Sequence, residues 1–181
     1  MIKNISYRYL DYDSKYEFER VNNLHCKLFP KHLPYIACEK PKCLIAYTEG
    51  ADDIDDIMGY LAIHYYDEEK RPNLKGWCAL AHIGVDEQFR HNGVAKDLFE
   101  IALETLKLEN RVGILALVGE DNEASIGLCE NVGLVNVQKY DDIKCGTSYL
   151  MGKTLAKIKI NSSICSNWTI NSKSIMDFEN F

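Results

Sequence analysis

The sequence predicts a mixed α/β fold, a single sheet of parallel and antiparallel strands with helices packed on its faces. Short runs rich in Ile, Val, Leu and Tyr, each bounded by turn residues, mark the strands. Stretches in which apolar residues recur every three or four positions mark the helices. Twice, after Val85 and after Val118, an apolar strand gives way within a few residues to a helix, so helices are spread along the sheet and not gathered at one end of the chain.

Ile2–Leu10, with its Ile and Tyr, reads as the first strand. From Ser14 to Phe29, Phe18, Val21, Leu24 and Leu28 recur at helical spacing, and Pro30 ends the pattern. Lys31–Pro41 contains Pro34 and Pro41 and reads as a short second helix or an irregular loop. Cys43–Thr48 and Ile57–Tyr66 are strands joined by the acidic turn Glu49–Asp56, and Trp77–Val85 is a nearly continuous apolar strand of the kind covered on both faces. After a break at Asp86–Asn92, a helix runs from Gly93 to about Asn110, its buried stripe set by Val94, Leu98, Ile101, Ala102 and Thr105. Val112–Val118 is a strand, and Asn122–Val132 a helix that Gly133 ends in a left-handed cap. Leu134–Tyr140 and Thr147–Lys153 close the series, giving the order β-α-(α)-β-β-β-α-β-α-β-β. One domain spans residues 1–153, and the Asn-, Ser- and Ile-rich tail Thr154–Phe181 is left unassigned.

A chain of 181 residues suits one domain with a substantial core. Its 46% hydrophobic and 27% charged residues exclude disorder and fibrous architectures. It has no run of about 18 apolar residues to span a membrane, and the N-terminus lacks the pattern of a secretory signal. The seven cysteines are an odd, scattered set without a CxxC pair, so they read as reduced thiols and the expected compartment is the cytoplasm. The net charge of −6 argues against a nucleic-acid partner, which wants a basic face. Acidic clusters at Asp52, Asp53, Asp55 and Asp56 and at Asp67, Glu68 and Glu69 either fit a cationic partner or are solvated turns.

The chemistry concentrates in Ala81–Ala95, a strand, a turn and the start of a helix. A turn at Arg90, His91, Asn92 and Gly93 leading into Val94 and Ala95 points backbone N–H groups outward, and the helix dipole adds partial positive charge there. That combination suits a phosphate or pyrophosphate, with Gly93 permitting close approach. An ordinary strand–helix turn with a chance glycine would look the same. A second constellation, Asp121–Leu134, follows the next strand at the expected distance.

Together the two stretches resemble the GNAT superfamily of acetyl-CoA-dependent N-acetyltransferases. The family's first signature is a Val or Ile on the fourth strand and then Q/R-x-x-G-x-G/A, which Val85 and Arg90–Ala95 match. Its second is N-x-x-A-x-x-L-Y-x-x-x-G-F, whose positions are held here by Asn122, Ser125, Leu128, Cys129, Gly133 and Leu134. Ser, Cys and Leu stand where the family has Ala, Tyr and Phe. The resemblance implies a GNAT-like acyl-CoA N-acyltransferase fold and acetyl-CoA as cosubstrate. It implies pyrophosphate contacts from the backbone of Arg90, His91, Asn92, Gly93, Val94 and Ala95. Pantetheine contacts fall near Ile83 and Val85, with further contacts from Asn122 and Ser125. Asn122 is also a natural helix N-cap, and both roles are compatible.

For the transfer itself, the family joins amine and thioester in one ternary complex, so positioning supplies much of the rate. The strand-four backbone near Ile83 donates to the developing oxyanion. His82 is the one titratable side chain of that strand able to take the amine's proton. It stands three places before Val85, so period-two alternation turns it from the family's usual base face unless a bulge re-aims it. Otherwise it is a hydrogen-bonded or surface histidine. Cys129 stands at the position of the Tyr that protonates the departing thiolate. It either supplies that proton or packs as a small apolar residue, with Tyr140 and Tyr149 as substitutes.

Gly146–Thr154 imitates a phosphate loop, but has one residue too many between its glycines and lies on a strand. His25, Cys26, His32, Cys38 and Cys43 match no common zinc spacing, so no metal is expected. The partner implied is an amine substrate, with a homodimer allowed and neither nucleic acid nor membrane expected. The competing readings are an acetyl-CoA-binding module without chemistry, used for sensing or scaffolding, and a tRNA-acetylating toxin, against which the acidic balance argues.

Overall fold

In the computed structural model, which describes residues 5–32, 34–49, 54–142 and 146–155, seven strands form one mixed sheet. They are β1 (Ile5–Tyr9), β2 (Lys42–Glu49), β3 (Ile54–Tyr65), β4 (Trp77–Val85), β5 (Gly113–Gly119), β6 (Val135–Asp142) and β7 (Gly146–Thr154). The order across the sheet is β1-β2-β3-β4-β5-β7-β6. All neighbours are antiparallel except β4 and β5. The helices are α1 (Lys15–Leu28), α2 (Tyr35–Glu39), α3 (Val94–Leu108) and α4 (Glu123–Asn131). The tail beyond Leu155, Asp52 and Asp53 lie outside the described residues.

Ser14 opens α1 by accepting the N–H of Glu17 at 3.4 Å, the capping expected of serine. Its buried stripe, Glu17, Val21, Leu24 and His25, packs with Ile36 of α2 on one face of the sheet, against Ile45, Tyr60 and Ala62. Glu17 is only 4% exposed and is matched by Arg8 of β1 at 2.6 Å, which is how a carboxylate is tolerated there. The opposite face carries α3 and α4. The buried stripe of α3 is Val94, Leu98, Phe99, Ala102, Leu103 and Leu106, rotated from the expected one; Ile101 and Thr105 are only half-buried. The hydroxyl of Thr105 donates to the Ile101 carbonyl instead, leaving Phe99 and Leu103 to fill the space above the sheet.

Strand bounds differ from expectation where acidic residues are involved. β3 starts at Ile54, not Ile57, and β6 continues to Asp142, because ladder pairing satisfies the backbone whatever the side chains are. Gly133 has φ +85°, the left-handed cap expected after α4. Its N–H reaches Glu130 O and that of Leu134 reaches Cys129 O, while Lys153 Nζ donates to the Val132 carbonyl.

One irregularity positions the site. β3 and β4 pair as Ile63 with Leu80 and then Ala62 with His82, which leaves Ala81 as an extra residue on β4. Cys78 and Leu80 face α3 before it. Past it the alternation is reset, so that Ile83 and Val85 face α3 while His82 and Gly84 face α1.

Candidate active site

Beyond the bulge the sheet opens. β4 and β5 pair in parallel only from Trp77 with Gly113 to Leu80 with Ala116; Ala81–Val85 and Leu117–Gly119 are not paired with each other. β3 still holds β4 on its other side and β7 still holds β5, so the two strands form the walls of a cleft. The N–H of Asp86 donates to Met58 O of β3 at 2.8 Å. Along an antiparallel strand the backbone direction alternates, so the N–H and C=O of Ile83 and Val85 point away from β3, into the cleft.

The cleft leads to the turn before α3. His91 and Gly93 there have φ values of +63° and +82°. Asn92 braces the turn by donating from Nδ2 to the carbonyls of Phe89 and Arg90, and Arg90 Nε donates to Val85 O at 3.3 Å. Gly93 is the N-cap of α3 and brings no side chain to cap it, and the first helical bond is Asp97 N–H to Gly93 O. The N–H groups of Val94, Ala95 and Lys96 thus precede the first intrahelical bond, at the positive end of a fifteen-residue helix. A Cβ built on Gly93 would meet nothing within 4 Å, so the space beside the turn is open. Across the cleft, Asn122 caps α4 by accepting the Ser125 N–H at 3.1 Å through Oδ1, which leaves Nδ2 as the end that can serve a second partner.

On the α1 face, four of the chain's five histidines gather. His82 lies immediately past the bulge, with ring centroids of His25 and Tyr35 at 4.9 Å, Phe29 at 5.1 Å and His32 at 5.6 Å. His25 is fully buried, its Nδ1 2.7 Å from the Tyr60 hydroxyl. His64 lies 3.4 Å from the Tyr35 hydroxyl. Burial first, then the neighbouring His25 and His32, push the His82 imidazole down to about 4, so it is neutral at physiological pH. Burial also lowers His64. Sequence reasoning missed His25, His32, Phe29 and Tyr35 as a group, although a histidine on the apolar stripe Val21–Leu24–Leu28 was a signal. Among the described residues no three His, Cys, Asp or Glu side chains are placed to hold a metal ion.

Cys129 is 2% exposed and lies in the core beneath α3 and α4 with Val132, Leu134 and Met151. Burial pushes its thiol up to about 11. Tyr140 packs on the other face beside Trp77 and Leu150, and the Tyr149 hydroxyl donates to Glu120 at 2.8 Å. The acidic turn Asp67–Glu69 follows β3 at the end where Tyr65 pairs with Cys78, opposite the cleft, and is met by Lys70 and Lys75.

With this geometry in view, a match to the model of the acetyltransferase (GNAT) family over residues 9–134 decides the assignment. The chain belongs to the GNAT acetyltransferase family. Solved structures share the GNAT fold at low identity. The NatC complex bound to Gag peptide and CoA aligns with a TM-score of 0.70 and 18% identity over 84% of this chain and 99% of that one. NAA60 of Arabidopsis thaliana with acetyl-CoA gives 0.69 and 18% over 83% and 99%. The ribosomal-protein-S18-alanine N-acetyltransferase of Escherichia coli gives 0.63 and 13% over 87% and 98%. No curated protein sequence matches. No helix among the described residues of this GNAT chain is long and apolar enough to cross a membrane.

Proposed function

We propose that this chain is an N-acetyltransferase that moves the acetyl group of acetyl-CoA to a primary amine by direct attack in a ternary complex. The observation that carries the reading is the continuous path from the unpaired ends of β4 and β5 to the open, uncapped start of α3 at Gly93. The pyrophosphate sits on the N–H groups of Val94–Lys96, in the space beside the turn that a side chain at position 93 would fill. The pantetheine arm bonds the inward backbone of Ile83 and Val85, as one further strand of the opened sheet would, and Asn122 and Ser125 line the far wall. The N–H of Ile83, which points into the cleft, meets the carbonyl oxygen as charge develops on it.

Because the bulge precedes His82, the imidazole still faces away from Val85 and off the family's usual base face. In this reading the amine approaches from the α1 face, where the neutral imidazole accepts its proton directly or through water. Attack forms the amide bond and releases the CoA thiolate. That leaving group is stable near neutral pH, a thiol pKa being ~8.5, so Cys129 need not protonate it. Cys129 packs as an apolar residue in this reading. The similar solved structures, one bound to a peptide and CoA, one to acetyl-CoA and one a ribosomal-protein-alanine N-acetyltransferase, support the reaction class.

The test is incubation of the protein with acetyl-CoA and an amine panel, with acetylated product read by mass spectrometry and free CoA by thiol titration. Product formation above the uncatalysed rate supports the transferase. Tight acetyl-CoA binding with no product from any amine favours the second reading, a cofactor-binding module, for which the burial of Cys129 speaks.

A further inference from the structure

We infer that the segment of residues 156–181 docks over the outer half of the sheet, on the α1 side of β5, β7 and β6, and seals Leu117, Val135, Val137 and the Tyr140 hydroxyl beneath it. This docking is independent of the transferase reading.

The surface comes first. On that side of the sheet α1 and α2 pack against β2 and β3. A second apolar cluster there holds Trp77 and Ala79 of β4, Leu115 of β5, Tyr140 of β6 and Leu150 of β7, joined by Tyr66 and Leu74 of the β3–β4 connection; α1–α4 contribute none of its members. Leu117 pairs with Leu150 and Val135 with Gly152, and a Cβ on Gly152 would lie 3.1 Å from both Leu115 and Val137, so these side chains share one face. Leu117 is 46% exposed, Val135 64% and Val137 43%. Tyr140 lies on the outermost strand, yet it is only 8% exposed, and its hydroxyl is buried with no hydrogen-bond partner among the described residues. A buried hydroxyl left unpaired is costly, so a polar group belongs against it.

The occupant follows from where the chain goes next and what it is made of. The N–H of Leu155 donates to Val112 O at 2.8 Å, so the chain leaves β7 beside the start of β5, at the edge of this face. Residues 156–181, twenty-six in all, come after it. At ~3.3 Å per residue they can run the length of nine-residue β7 twice, and the three strands are only ~10 Å across. Ile158, Ile160, Ile164, Trp168 and Ile170 all stand at even numbers, while the odd ones from 157 to 171 hold only Lys, Asn, Ser, Thr and one Cys. That pattern gives the segment one apolar side. Its serines and asparagines are hydrogen-bonding groups of the kind the Tyr140 hydroxyl requires. A second copy of the chain fits the patch less well. Leu117, Val135 and Val137 together expose an area on the order of 200 Å² against the ~800 Å² each partner brings to a standard interface, too little for a dimer and enough for a tethered segment.

The experiment measures nuclear Overhauser effects between methyl and aromatic groups, and amide hydrogen exchange, on the full chain. The inference expects contacts from the methyls of Leu117, Val135 and Val137 to the Trp168 indole or to the isoleucine methyls of the segment. Exchange in residues 156–181 should be at least tenfold slower than in a free peptide of the same sequence. The double variant Val135→Lys, Val137→Lys changes only exposed positions of the outer strand. It should return the segment to the free-peptide rate while β5 and β7 stay protected. Trp168→Ala, which leaves the sheet untouched, should lower the segment's protection at least threefold. A segment that exchanges at the free-peptide rate in the parent chain, or that keeps its protection in both variants, would overturn the inference. So would contacts seen only between differently labelled molecules in a mixed sample whose mass rises with concentration, which would give the face to a second copy.

Discussion

Gly93 separates a cofactor turn from an ordinary strand–helix turn. Its φ of +82° and ψ of −7° lie in the left-handed region, where an L-residue costs about 1–2 kcal/mol. A Cβ there meets no protein atom within 4 Å, so substitution adds backbone strain without a collision. Gly93→Asn is the reference, since Asn tolerates this conformation and adds bulk without charge. Gly93→Asp differs from it by one negative charge. At ~5 Å from one phosphate charge, with an effective dielectric of ~20, the repulsion is about 3 kcal/mol, more than a hundredfold in affinity.

Calorimetric titration of CoA into Gly93→Asn and Gly93→Asp measures the difference, and raising the salt from ~0.05 to 0.5 M should shrink it. The thermal midpoints of the two variants should agree within a few degrees, because the strain is shared. CoA affinities within threefold of each other would place the pyrophosphate elsewhere and remove the main support for the cofactor path.

A Cβ at Gly113 would come within 2.4 Å of the Trp77 ring and 2.7 Å of the Lys153 carbonyl, so Gly113→Ala should lose about 1–3 kcal/mol in urea unfolding; a change below ~0.3 kcal/mol would contradict this packing. His82, lowered from 6.5 to about 4, is held neutral by the fold, so its contribution is fully present above pH 6.5 and is lost as pH falls from there toward 4. The drop is at most about 3 kcal/mol at 1.36 kcal/mol per pH unit, and His82→Phe should flatten stability over that window; an unchanged slope would show that His82 titrates normally. Cys129, buried with its thiol pushed up to about 11, should resist iodoacetamide until the protein unfolds, whereas exposed Cys26 and Cys38 react at once. Cys129→Ala should keep kcat within tenfold; a thousandfold loss with folding intact would make the thiol an essential acid.

Element order and the strand–turn–helix at Gly93 were legible because each rests on local chemistry. Pro30, Gly93 and Gly133 all act within a few residues of themselves, and α1 ends before the first, α3 opens at the second and α4 closes at the third. The α3 stripe was misread by roughly a fifth of a turn, since Ile101 and Thr105 fit the helical period as well as Phe99 and Leu103; the sheet's shape chose between them. The histidine cluster was less legible still. His25 and His82 are 57 positions apart, and nothing local joins them; it takes the β3–β4 register and the packing of α1 to set their rings 4.9 Å apart. His25 did carry a trace, a polar residue on a buried helical stripe, and its partner Tyr60 was unreadable for the same reason of distance.

Ala81 links these features. Without an extra residue on β4, alternation from Cys78 and Leu80 would continue through His82 on the α3 face, in a core of Leu, Phe and Met where an imidazole would have to be desolvated among apolar groups. Ile83 and Val85 would then face α1, where Gly84 now lets Leu28 approach; a Cβ at Gly84 would stand 2.6 Å from that side chain. The same extra residue increases local twist, and the parallel pairing of β4 with β5 ends one position before it, at Leu80. One inserted alanine thus coincides with the opening of the cleft and moves the imidazole out of the apolar core to the α1 face. Ile83 and Val85 on the α3 side of β4, and His82 and Gly84 on its α1 side, are set by the one register shift that makes the strand imperfect as a ladder.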